Sequence, residues 1–159
     1  MDLLTDIREK CAGHWIPAIY SKKVRSQRTR SYHLDIPERE NLAEIQYTLL
    51  GIELKVGKRR FACPDLATAR YLLVFARIGC HDFAIPYDIS KISAIADEFE
   101  TAWQRSLILV EAITSGKQAR NVSLARSKLV RAMRDEITAI GAGEAMPAFD
   151  RVTKQREIQ

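Results

Sequence analysis

Leu3, Leu4 and Ile7 fall on one face at helical spacing and predict a short helix over residues 2–12, stopped by Gly13. HWIPAIYS, which follows, is expected to be extended because Pro17 disfavours helix in the residue before it. KKVRSQRTRS has no apolar period and reads as a loop or as the exposed part of a strand. Tyr32, Leu34 and Ile36 then alternate, which predicts a strand ending at Pro37. Residues 38–50 fit two templates. Leu42, Ile45 and Leu49 have helical spacing, whereas Ile45, Tyr47 and Leu49 alternate. Pro37 suits a first helical turn, Glu38 and Glu40 suit the positive end of a helix dipole, and Gly51 suits a cap, so a helix is favoured here.

IELKV alternates, Gly57-Lys58 turns the chain, and RRFAC alternates back. Residues 52–56 and 59–63 are therefore expected to pair as a hairpin, with Glu53 and Lys55 exposed. Asp65 is a good N-cap for LATARYLLVFARI, which Gly79 closes; this helix is apolar around most of its circumference and belongs at the centre of the fold. DFAIPY reads as a strand ended by Pro86. From Asp88 the period lengthens again. Ile92, Ala96, Phe99, Trp103, Val110 and Ile113 predict a long helix to about Ser115, broken by Gly116. Leu129, Met133, Ile137 and Ile140 form the seam of a second helix over 122–140, ended by Gly141 and Gly143.

These elements imply one α+β domain over residues 1–143. Its first half, 1–87, holds a small antiparallel or mixed sheet with helices, and an antiparallel helical hairpin occupies 88–143. Residues 144–159 lack a period and are expected to form a loose tail. A length of 159 residues, 47% of them hydrophobic, suffices for one core and is unlike a disordered chain. Three cysteines, at 11, 63 and 80, cannot all pair within the chain and have no C-x-x-C spacing. The acidic start MDLLTDIREK lacks the order of a signal peptide, and no apolar run approaches the about 18 residues of a membrane span. The expectation is a soluble cytoplasmic protein with free thiols and no membrane partner.

Charge is sorted along the chain. The formal net charge is +5. Lys22, Lys23, Arg25, Arg28 and Arg30 lie in an acid-free stretch, 22–34, and Arg120, Arg126, Arg131 and Arg134 in another, 112–134. Lys58, Arg59 and Arg60 sit at or beside the predicted hairpin tip. Flexible cations contact phosphates, and the neighbouring Tyr20 and Tyr32 suit base stacking, so these twelve residues are candidates for binding nucleic acid. A solvated surface, or a contact with acidic protein, accounts for them equally well.

Asp35, Glu53 and Lys55 carry the one candidate for catalysis. Glu53 and Lys55 are two apart and share a strand face. The order helix, acid-bearing strand, E-x-K strand, helix, strand resembles the core of the PD-(D/E)xK nucleases. The resemblance covers barely twenty residues, and implies that two carboxylates hold magnesium while the lysine stabilises charge or orients water. Two features depart from the pattern: Asp35 precedes Ile-Pro instead of following proline, and RRFAC is an extra strand. Simple alternation also explains the triplet. The histidines at 14, 33 and 81 are far apart in sequence and suggest no metal site, and no phosphate-loop, dinucleotide, zinc-protease or serine-elbow motif is present.

Ile95, Ala102 and Leu109 form a second apolar line on the long helix, widened by Ile108, and are candidates for a protein interface or self-association. The favoured function is accordingly a non-enzymatic binding or assembly module contacting protein, with nucleic acid as an optional further partner of its basic segments. The alternatives are a magnesium-dependent nuclease and an assembly factor with no nucleic acid.

Overall fold

A computed structural model describes residues 2–142. The element order is α1 (Leu3–Cys11), α2 (Ile16–Ile19), β1 (Thr29–His33), β2 (Ala43–Thr48), β3 (Gly51–Val56), β4 (Arg59–Cys63), α3 (Leu66–Ile78), β5 (Asp82–Pro86), α4 (Ile89–Ile113) and α5 (Ala119–Ile140). The class is α+β, with two small antiparallel sheets, β1-β5 and β2-β3-β4. The expected tail, 144–159, and Gly143 lie outside the described residues.

α3 is the hub, its ends fixed as the sequence implied. Asp65 accepts from the Thr68 amide at 2.7 Å, and Gly79 closes the helix in the left-handed region at φ 87°. The three-stranded sheet lays its apolar face on α3, Ile45, Leu54, Val56 and Phe61 pointing inward together. α4 covers another side with Phe99, which packs edge-on to Phe75 at 5.4 Å. α1 lies along both C-terminal helices. Leu3 and Asp6 border a cleft with Ile113 and Ala125, whereas Cys11 and Trp15, further along, reach Ser106 and Glu136. α4 and α5 therefore run in opposite directions, reversed through Gly116 at φ 81°.

Three local expectations fail. Residues 15–24 are helical: Trp15 caps α2, and a wide turn of helix continues over Tyr20–Val24. Pro17 sits at the start of the helix, where its missing N–H has no partner to lose, and the spacing of Ile16, Ile19 and Tyr20 buries one face. Residues 43–48 are strand β2 instead of helix. Their alternation wins because β3 offers a full antiparallel partner, Ala43 to Thr48 against Val56 to Gly51. Asn41 ends any helical tendency upstream by donating its side-chain amide to the carbonyls of Pro37, Arg39 and Ala76. Finally β1 starts earlier and stops at His33. Leu34 and Ile36 alternate because both plug the core beyond the sheet, not because they extend the strand.

β5 is the buried strand. Its register against β1 sets Ala84 opposite Ser31. On the inner side no further strand among the described residues receives Ala84. Two tyrosine hydroxyls take that place: the Ala84 amide donates to Tyr20 Oη at 2.8 Å, and Tyr71 Oη donates to the Ala84 carbonyl at 2.6 Å. Tyr20 in turn donates to the Gly141 carbonyl at 2.7 Å, which ties down the end of α5. Phe83 stacks on Phe75 at 4.0 Å between them.

Replacing Tyr20 with Phe keeps the ring and strands a buried amide, at a cost of about 1–3 kcal/mol. Urea unfolding of Tyr20→Phe is expected to show that loss. Tyr32→Phe, whose ring stacks on Phe83, is the control, with a change below about 0.5 kcal/mol. Equal effects of the two substitutions would contradict the role given to the Tyr20 hydroxyl.

Candidate interaction surfaces

The structure disperses most of the candidate basic surface. Lys23 pairs with Glu98 at 2.7 Å, Arg59 with Asp35 at 3.1 Å, Arg60 with Glu53 at 3.5 Å and Arg126 with Glu40 at 2.5 Å. Arg134 donates to the Ile78 carbonyl at 3.1 Å and Arg25 to Thr29 Oγ1 at 3.4 Å. Arg28 lies over the Tyr87 ring and Arg30 over the Tyr32 ring. Lys22 and Lys58 are exposed at two separate turns. On α5, cations without a partner among the described residues share one helix face. Arg120, Lys128 and Arg131 are exposed at helical spacing, with half-exposed Leu124 in the same line and Lys117 just ahead.

The carboxylates of the nuclease resemblance are held apart, each by its own arginine. Asp35 points its side chain outward between the buried Leu34 and Ile36 and is taken by Arg59, while Glu53 faces its cross-strand neighbours Gln46 and Ala62 and is taken by Arg60. Glu53 and Lys55 are half-buried, not exposed, because β2 and β4 flank them on both sides. Among the described residues no group of three His, Cys, Asp or Glu is placed to hold a metal ion.

Ile95 and Ala102, read as an outer interface on α4, are buried in the core, and Leu109 is half-buried against it. The second apolar line of α4 is covered by the chain itself, through its contacts with α1, α2 and α3.

Ile108, which widens that line, stays exposed, and the most exposed apolar surface lies elsewhere. Among the described residues the four most exposed large apolar side chains are Leu49 (106%), Leu50 (98%), Leu42 (90%) and Tyr47 (71%). All four belong to β2, the residue before it, or the turn after it. That turn is Leu49-Leu50, bracketed by Thr48 and Gly51 and held by the Leu50 amide donating to Thr48 Oγ1 at 3.1 Å. Two-residue turns ordinarily take Gly, Asn or Asp, as the other hairpin does with Gly57-Lys58. The signal was visible in YTLLG, but a helical reading of residues 38–50 hid it. Two clefts, of about 380 and 480 Å³, meet at Leu42.

Burial disfavours the thiolate at all three cysteines. Burial pushes Cys80 up to about 12 and raises Cys11 and Cys63 as well. A polar cluster was not foreseen: across the β1–β5 register, exposed His33 bonds Asp82 through Nδ1 at 2.8 Å, and His81 and Glu38 stand 4.0 Å apart nearby. No helix among the described residues is long and apolar enough to cross a membrane. Comparison with protein families, with characterised proteins and with solved structures finds no match for the chain.

The thiol burial has a consequence for stability at alkaline pH. The Cys80 thiol stays neutral in the folded chain to about 12 but ionises near its ordinary 9.0 once unfolded. The contribution is complete below pH 9 and is lost as pH rises toward 12; burial of Tyr20 and Tyr71 acts in the same direction. The urea midpoint is expected to hold flat up to about pH 8.5, below the 9.0 of the free thiol, and then to fall. Cys80→Ala is expected to shallow the fall. A midpoint independent of pH up to about 11, well past that free-thiol value, would contradict the assignment.

Proposed function

We propose that the chain is a non-enzymatic binding module that assembles with protein, docking through the outer edge and tip of the β2–β3 hairpin. The observation that carries this reading is the pair Leu49-Leu50 at a turn where neither side chain packs on its own chain. Exposed leucines at a turn add nothing to the core, whereas a polar pair would serve the turn as well. Apolar surface held in that position supports a contact with another chain. The strand edge beside it strengthens the reading, since β2 has a neighbour on one side only.

Leu49→Ser combined with Leu50→Asp tests this. Both turn residues have negative φ, and a turn of that kind accepts either substitution. The unfolding free energy is expected to stay within about 0.5 kcal/mol of the wild type. A photo-crosslinking residue at position 50 is expected to give a protein adduct of defined mass in producing cells, with none from the same residue at position 127 on α5. Destabilisation above about 1 kcal/mol would show that the leucines serve folding. Absence of an adduct would remove the docking role.

A second reading, nucleic-acid or other polyanion binding, is favoured by the α5 stripe of Arg120, Lys128 and Arg131. Each phosphate contact adds about 0.9 to the slope of log affinity on log salt for duplex DNA. Replacing the three with Ala is expected to flatten that slope by between 2 and 3 units, roughly three contacts' worth, for a labelled mixed-sequence oligonucleotide. An unchanged slope, or no binding at low salt, would leave protein assembly alone.

A further inference from the structure

We propose that the occupant of the β2 edge is a second copy of the same chain. The two β2 strands pair antiparallel about a twofold axis at Gln46, giving one six-stranded sheet. This names the partner within the assembly reading above and rests on it.

The four sheet edges are not equivalent. The inner edge of β5 is closed by Tyr20 and Tyr71. β1 carries Arg30, and β4 carries Arg59 and Arg60, charges that oppose pairing with an identical edge. β2 carries a single charge, Glu44, and the exposed apolar residues at its two ends. Among the described residues it is the edge flanked at both ends by exposed large apolar side chains.

Geometry fixes which groups it offers. The Gly57 amide donates to the Leu42 carbonyl at 3.1 Å, so Leu42 and Gly57 form a bonded rung of the ladder. Bonded rungs alternate, and Glu44, Gln46 and Thr48 therefore direct their amides and carbonyls to β3. Those of Ala43, Ile45 and Tyr47 point outward. An antiparallel partner must then meet odd-numbered residues with odd-numbered residues.

The register about Gln46 satisfies this and pairs every exposed residue. Ile45 faces Tyr47 of the other copy, twice by symmetry, as bonded rungs on the apolar face. This is a β-branched to aromatic pair of the kind that stabilises sheets. Leu42 faces the other copy's Leu50, beside the cleft of about 380 Å³ lined by Leu42, Ala43 and Glu44. Leu49 comes level with Ala43. Glu44 meets Thr48, so no like charges oppose each other, and Gln46 meets Gln46. Three leucines and a tyrosine remove on the order of 400–600 Å² of apolar surface per copy, before the strand backbone is counted. A standard interface needs about 800 Å² per partner. Residues 42–51 themselves carry no Lys or Arg, which favours protein over an anionic membrane surface.

The test uses the full chain. Analytical ultracentrifugation at about 100 µM, which saturates a contact of micromolar Kd, is expected to give a dimer. Tyr47→Pro deletes one outward amide and no rung to β3, and proline is tolerated at such an edge position. It is expected to weaken dimerisation at least tenfold while leaving the urea midpoint unchanged. In a Cys63→Ser background, Gln46→Cys is expected to form a disulfide-linked dimer under mild oxidation, because non-bonded rungs bring the two Cα atoms to about 4.5 Å. Glu44→Cys is expected to form none, as the two copies of residue 44 lie four residues out of register, about 13 Å. A monomer at that concentration overturns the self-pairing, as does a dimer that Tyr47→Pro leaves intact. If the monomer still gives a foreign protein adduct at position 50, the module reading survives without self-pairing. If it instead sediments with phosphatidylcholine–phosphatidylserine vesicles and gives no adduct, both fall.

Discussion

Ala84 lies wholly buried in a two-stranded sheet, its amide and carbonyl aimed away from β1. A buried backbone pair without partners costs more than most single contacts return, so a strand can occupy this place only if something closes its inner edge. Tyr20 and Tyr71 do so from different parts of the chain. The first requires the helical segment 16–24 to lie against β5, and the second requires α3 to cross it. Gly141 is held by the same Tyr20 hydroxyl, which fastens the end of α5 to the arrangement. The aromatic cluster of Phe75, Phe83 and Phe99 fills the space between. Much of the packing follows from closing that one edge.

Set beside β5, the outer edge of β2 stands out. Among the described residues there are two short sheets; the inner edge of β5 is closed by hydroxyls, and β1 and β4 carry arginine. The β2 edge is close to neutral, with apolar residues at both ends and its outward backbone groups unpaired within the sheet. The same physics that made tyrosines necessary inside makes an added strand favourable outside, and the difference is whether the chain supplies the partner itself. Several of the arginines that were candidates for binding a polyanion fix segments instead: Arg59 holds the stretch after β1, Arg126 holds Glu40, and Arg134 holds the end of α3.

The parts of the fold that could be read from sequence are those with local causes. Asp65 and Gly79 mark the ends of α3, Gly57 marks a turn, and the long apolar periods mark α4 and α5. What could not be read has tertiary causes. Residues 43–48 fit helix and strand equally by period, and only the presence of β3 decides between them. Pro17 breaks a helix it follows but starts one it leads, and the choice depends on Trp15 as cap. Ile95 and Ala102 made a credible outer face because a sequence does not tell how many neighbours surround a helix; α1 and α2 cover it. The candidate edge was missed as a consequence of the β2 error, since a turn made of two leucines has meaning only once the strands on either side are known.

Amide exchange at Ile45 and Tyr47, followed by NMR at several protein concentrations, tests edge pairing most directly because it observes the groups that would form the new ladder. Pairing predicts slow exchange of both amides at high concentration and fast exchange on dilution. The β3-directed amides of Glu44 and Gln46 serve as an internal reference, protected throughout. Fast exchange of Ile45 and Tyr47 at every concentration, with Gln46 protected, would contradict the account.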